Sequence, residues 1–143
     1  MKVEPPMIAR RFSMLELREA LEASWDEATS YGCVSEAGNP ALGQCYPTSW
    51  VVQQFYPEVE IVEGEVWTGK TVEKHFWNIL LSQGNEYHID FSWRQFPAGS
   101  AVRSFRIRDR ETLDDGPATI KRRELLLERV TAYLLAVKKA EAT

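Results

Sequence analysis

Apolar residues recur at helical spacing in three stretches of the chain and at strand spacing between the second and the third. Met14, Leu17, Ala20, Leu21, Trp25 and Ala28 follow Ser13 in steps of three and four, and Ser13 with Glu16 has the spacing of a capping box. The pattern predicts a helix from about Met14 to Ser30, stopping near Gly32. Residues 1 to 12, with Pro5-Pro6 and Arg10-Arg11 and no apolar period, are expected to be a loose arm before it.

Tyr31 to Gly43 reads as an irregular loop, marked by Gly38, Asn39, Pro40 and Gly43. The run QCYPTSWVVQQFYP then carries Trp50, Val51, Val52, Phe55 and Tyr56 at helical positions and ends before Pro57. Pro47 fits a helix only in its first turn, because it has no N–H and its ring crowds the preceding turn. Cys45 is therefore expected at or just before a helix N-terminus.

From Val59 to Phe96 the period changes to that of strands. Val59, Ile61, Val62, Val66 and Trp67 predict one, Thr68-Gly69-Lys70 a turn, and His75 to Leu81 the next; Gln83-Gly84-Asn85-Glu86 turns the chain into Tyr87 to Trp93. An antiparallel hairpin results. Past Pro97, Gly99 and Ser100, the stretch with Arg103, Arg106, Arg108 and Arg110 holds a short strand around Val102, Phe105 and Ile107. Asp114-Asp115-Gly116-Pro117 is a turn signal. Thr119 to about Ala140 predicts a last helix, with Leu125, Leu126, Val130, Tyr133, Leu134 and Val137 on its apolar face. No internal repeat interrupts this order, and the expected fold is an α+β domain spanning residues 1–143.

At 143 residues, 44% of them apolar, the chain has enough material for one sizeable core, and five Trp, five Tyr and six Phe argue against disorder. Its formal charge of -4 gives no general attraction to phosphate backbones or anionic membranes, so neither nucleic acid nor membrane is expected as a partner. No segment has the apolar length of a signal peptide or a membrane span, and two cysteines are too few for a disulfide scaffold. A cytoplasmic protein with free thiols is expected.

That expectation bears on Cys45. A nucleophilic cysteine acts as the thiolate, which the positive end of a helix and a nearby imidazolium both favour. Unpaired backbone N–H groups at the same helix end can hold an oxyanion, and Gln44 beside it offers a side-chain donor. The general base should be a histidine held by a carboxylate, and the hairpin supplies His75 and Asp90. Their faces follow from parity. With a loop of two or four residues, paired positions sum to an odd number, so His75 and Asp90 share a face; a three-residue loop separates them.

Blander readings compete. A free cysteine is usually a small core hydrophobe, and a Cys, a His and an Asp occur in most soluble chains. His88 shares strand parity with Asp90 and is the competing base, but reads as a neighbour or surface group. Cys33, Cys45, His75 and His88 lack the tight pairs of structural zinc sites, so neither a metal nor a cofactor is expected. Cys33 is read as a loop thiol, with a disulfide or resolving role toward Cys45 as the minor alternative. Among the tryptophans one or two are expected near the site and the rest in the core. The arginines from Arg103 to Arg110 are most simply a solvated face; an anionic substrate or partner is the sharper alternative.

Asn39-Pro40, Gly43-Gln44-Cys45, His75-Phe76-Trp77-Asn78 and Asp90 with Gln95-Phe96 together resemble the motifs of the YunG-like family of small bacterial proteins. The resemblance is strongest over residues 25 to 96. Tyr46-Pro47 and Phe91-Ser92 depart from its pattern, where Ala-Val and Leu-Thr are expected, without touching Cys45, His75 or Asp90. The order of a cysteine at a helix start, a histidine on a strand and an aspartate on the next strand is also similar to the papain-like, or transglutaminase-like, fold, with helices packed on a small antiparallel sheet. That resemblance implies acyl chemistry through a thioester, with Trp77 and Asn78 lining the site. The expected function is a cysteine-dependent hydrolase or acyltransferase acting on a small-molecule or peptide amide, ester or thioester. The alternatives are an inactive binding or regulatory module of the same fold and, more weakly, a redox thiol protein using Cys33 and Cys45.

Overall fold

The computed structural model describes residues 12–33, 36–110 and 115–141. The arm expected at residues 1 to 12, apart from Phe12, and the start of the turn at Asp114 lie outside these. Within them the chain is α+β, with three α-helices and a curled four-stranded antiparallel sheet.

Helix α1, Met14–Ser24, begins with both arms of the capping box in place: the Ser13 hydroxyl accepts from the Glu16 N–H, and the Glu16 carboxylate accepts from the Ser13 N–H. It stops at Ser24, short of the expected Ser30. Trp25 turns to extended backbone and its indole N–H donates to Thr48 Oγ1 at 2.9 Å. Asp26 Oδ1 then accepts from the Ala28 N–H, and Thr29 Oγ1 from the Asp26 N–H. These short side chains offer the backbone partners that a continued helix would have supplied.

Helix α2, Cys45–Phe55, starts on Cys45 and carries Pro47 in its first turn. Helix α3, Pro117–Glu141, starts at its proline, two residues before the expected Thr119, and buries Leu126, Val130 and Leu134. Tyr133, expected on that apolar face, is exposed, while Leu125 and Val137 are half-buried. The stripe is therefore narrower than the sequence suggests. Leu17, Leu21, Val51, Val52 and Phe55 meet it in one core shared by the three helices. Burying each such side chain stabilises the fold by about 1.5–3 kcal/mol relative to leaving it in water.

Strands β1 (Glu60–Trp67), β2 (Val72–Ser82), β3 (Asn85–Ile89) and β4 (Ala101–Ile107) form the sheet in the order β3-β2-β1-β4. The β2–β3 loop is the two-residue Gln83-Gly84, with Ser82 opposite Asn85 and φ values of 50° and 80°. Two positive φ angles are what the tightest hairpin turn demands. The Arg-rich stretch does contain the expected strand, paired with β1 through a register shift between Glu65 and Val66. Arg106 bonds Glu63 across that pair, and Arg110 bonds Glu60.

The two faces of β2 do different work. Phe76, Asn78 and Leu80 face the helices: Phe76 meets the Tyr46 ring, Asn78 donates to the Ser49 carbonyl, and Leu80 packs on the helical core. His75, Trp77 and Ile79 alternate with them along the strand, and Val62 joins the last two in a small core of their own. Among the described residues no helix is long and apolar enough to cross a membrane.

Candidate functional site

Cys45 is placed by the segment before it. Gly43 sits at φ +75°, and a Cβ there would stand 2.2 Å from Ser30 Oγ, so the chain passes closer to residues 30–31 than a larger residue would allow. The Tyr31 N–H donates to the Gly43 carbonyl at 2.9 Å and Ser30 Oγ donates to the Leu42 carbonyl. The buried Gln44 side chain completes the tie: its amide donates to the Asp26 carbonyl and accepts from Thr29 Oγ1, both at 2.8 Å. The donor expected beside the thiol is thus turned away and engaged in holding two loops together. Gln44 makes no side-chain cap on α2, and the first-turn N–H groups of Cys45 and Tyr46 have no intrahelical carbonyl to bond; Pro47 contributes none.

His75 lies at the centre of an aromatic cage. Trp77 stacks on it at 5.4 Å between centroids, and Phe96 and Trp93 present edges at 4.8 and 6.0 Å. Two of the five tryptophans, Trp77 and Trp93, thus pack on His75. Nε2 of His75 is 2.7 Å from Asp90 Oδ2, while Asp90 Oδ1 accepts from the Ser92 N–H at 3.2 Å. This leaves the buried Nδ1 as the nitrogen open to Cys45, with no well-formed partner of its own among the described residues. Burial opposes charge on the ring, but the hydrogen bond to Asp90, helped by the nearby Cys45 side chain, prevails and raises its pKa to about 9.

Asn39 and Gln95 join the two halves. The Asn39 amide donates to the Gln95 carbonyl at 3.1 Å, and Gln95 in turn donates to the Ser92 carbonyl, so the loop before Cys45 is tied to the segment that orients Asp90. Asn78 is not at this site; on the opposite face of β2 it bonds the Ser49 and Glu60 carbonyls and fastens α2 to the sheet. His88 accepts from the Trp77 indole through Nδ1 at 2.9 Å and has Glu86 at 3.7 Å from Nε2. Cys33 is an exposed free thiol. Among the described residues no group of three or more His, Cys, Asp or Glu is arranged to hold a metal ion.

A second cluster, beside Cys45, has no counterpart in the sequence motifs. The Tyr46 hydroxyl donates to Asp115 Oδ2 at 2.6 Å; burial and this bond push its pKa up to about 12. Asp115 also binds Arg123 and lies 4.0 Å from Arg108, whose guanidinium packs over the Tyr46 and Phe76 rings. An acidic residue inside a turn signal carries no mark of such partners.

The model of the family described as YunG protein matches residues 13–135, a span that includes Cys45, His75, Asp90 and the segments that tie them. No curated protein and no solved structure gives a significant match to the chain.

Proposed function

The chain belongs to the YunG family, and we propose that it is a cysteine-dependent hydrolase or acyltransferase acting on an amide, ester or thioester through Cys45, His75 and Asp90. The observation that carries this is the division of the His75 ring: one nitrogen is held by Asp90 at 2.7 Å, and the other is left for a cysteine at a helix N-terminus. The order of cysteine, histidine and aspartate along helix, strand and strand end also supports kinship with papain-like and transglutaminase-like proteins.

With its pKa raised to about 9, His75 is an imidazolium at neutral pH and enters the first step as an acid. The Cys45 thiolate attacks the carbonyl carbon, forming a C–S bond while the C=O electron pair moves to oxygen. The N–H groups of Cys45 and Tyr46, unpaired within the helix, would hold that oxyanion. As the tetrahedral species collapses, the bond to the leaving nitrogen, oxygen or sulfur breaks and His75 supplies its proton. Water or another acceptor then attacks the thioester, gives its proton to His75, and expels the thiolate. Asp90 stabilises the ring's charge and fixes its tautomer.

The complete burial of His75 favours a second reading, a catalytically inactive binding or regulatory module of the same fold. Exposure to p-nitrophenyl acetate, acid quenching and peptide mass analysis distinguish the two. The enzyme reading expects a thioester on Cys45 in the wild type, and none there in His75→Ala over the same time. No acylation of Cys45 in a folded wild type, or equal acylation in His75→Ala, would overturn it.

A further inference from the structure

Cys45 borders a groove of about 670 Å³ that has Tyr31, Tyr46 and Phe76 among its walls together with Lys74, Arg108 and Arg122. We infer that this groove takes an acyl compound bearing a carboxylate, which Arg108 and Arg122 hold while the reacting carbonyl lies at Cys45; the acyl part of the inference rests on Cys45 being the nucleophile.

Among the described residues three cationic side chains line the groove against two carboxylates, Glu63 and Asp115, an excess of one positive charge in a chain whose net charge is -4. Both carboxylates are already engaged. Glu63 is bonded by Lys74 at 2.8 Å and by Arg106 at 2.7 Å, and Arg106 is not itself a wall residue. Asp115 is shared by the Tyr46 hydroxyl and Arg123, which leaves Arg108 at 4.0 Å from its nearer oxygen. Arg108 is therefore held by aromatic faces, 5.1 Å from the Tyr46 centroid and 5.5 Å from that of Phe76, more than by a counter-charge. Arg122 is similarly placed: it packs over Tyr31 at 5.4 Å, donates to Thr119 Oγ1, and has no carboxylate partner among the described residues. Two guanidinium groups fixed by rings beside an apolar groove form a site that is preorganised for a planar anion. The single excess charge suits a carboxylate better than a dianion, and the aromatic walls suit the apolar part of an acyl chain.

The test compares two maleimides on a Cys33→Ser background, neutral N-ethylmaleimide and anionic 3-maleimidopropionate, reading the rate of Cys45 modification. The ratio of anionic to neutral rate is expected to fall about tenfold in Arg108→Gln plus Arg122→Gln, and to fall in the wild type as salt is raised. A ratio unchanged in the double variant overturns the inference even when Cys45 is activated. If Arg108→Gln does not fold, Arg122→Gln on the surface of α3 carries the same test alone. His75→Ala with the neutral maleimide reads the nucleophile separately: a slower rate is expected, and an unchanged one removes the acyl part whatever the ratio does.

Discussion

The side chains of His75 and Asp90, fifteen residues apart in sequence, meet at 2.7 Å because β3 ends one residue before Asp90. The last strand pair is Asn78 with Ile89, and continued register would place residue 92 opposite His75. Instead the chain turns at Asp90, whose Oδ1 accepts from the Ser92 N–H. Its Oδ2 is then free to reach diagonally back to the ring.

This pair should make stability depend on pH. His75 has an ordinary value of 6.5 and a folded value raised to about 9, so its contribution is complete below about 6.5 and is lost as pH rises through about 9. The loss is of the order of 3 kcal/mol. Urea unfolding at a series of pH values across that window should show the decline, and Asp90→Asn should remove most of it. A ring titration by NMR should place the same proton near pH 9 in the wild type and well below it in the variant.

Gln44 reads as a structural tie. Gln44→Ala leaves the Asp26 carbonyl and Thr29 hydroxyl without their shared partner and should cost about 2 kcal/mol. In a double-mutant cycle with Thr29→Ala the two losses should fall well short of adding, since they remove one bond between them. Strict additivity in chemical denaturation would show that the side chain acts elsewhere.

Gly64 leaves room for the cage around His75. A Cβ there would lie 2.5 Å from the Trp77 ring and 2.7 Å from the Ser104 carbonyl. Gly64→Ala should therefore destabilise the protein by about 1–3 kcal/mol. Because Trp77 stacks on His75, it should also alter the near-UV circular dichroism; a thermal melt and spectrum identical to wild type would contradict the packing described.

Much of this was legible locally. The capping box at Ser13 and Glu16, the helix opening at Cys45, and the hairpin parity that puts His75 and Asp90 on one face all follow from short-range rules of backbone geometry. What failed were features decided by distant partners. Nothing between Trp25 and Ser30 announces that Trp25 will donate to Thr48, or that Gln44 will claim Asp26 and Thr29, so the apolar period overruns the helix and the proximity of Gln44 to Cys45 in sequence is no guide to its partners. Asn78 follows His75 closely in sequence, yet odd and even positions of a strand face apart, and it belongs to the helix side. The Tyr46, Asp115 and Arg108 cluster joins residues up to 69 positions apart and leaves no local pattern.

The pairing of Cys45 with His75 is tested most directly by the pH dependence of Cys45 alkylation with iodoacetamide, in Cys33→Ser and in Cys33→Ser with His75→Ala. Rapid modification near neutral pH that drops about tenfold or more without His75 is the expected result. Slow modification that is indifferent to His75 would contradict an assembled pair and leave the inactive module as the reading that survives.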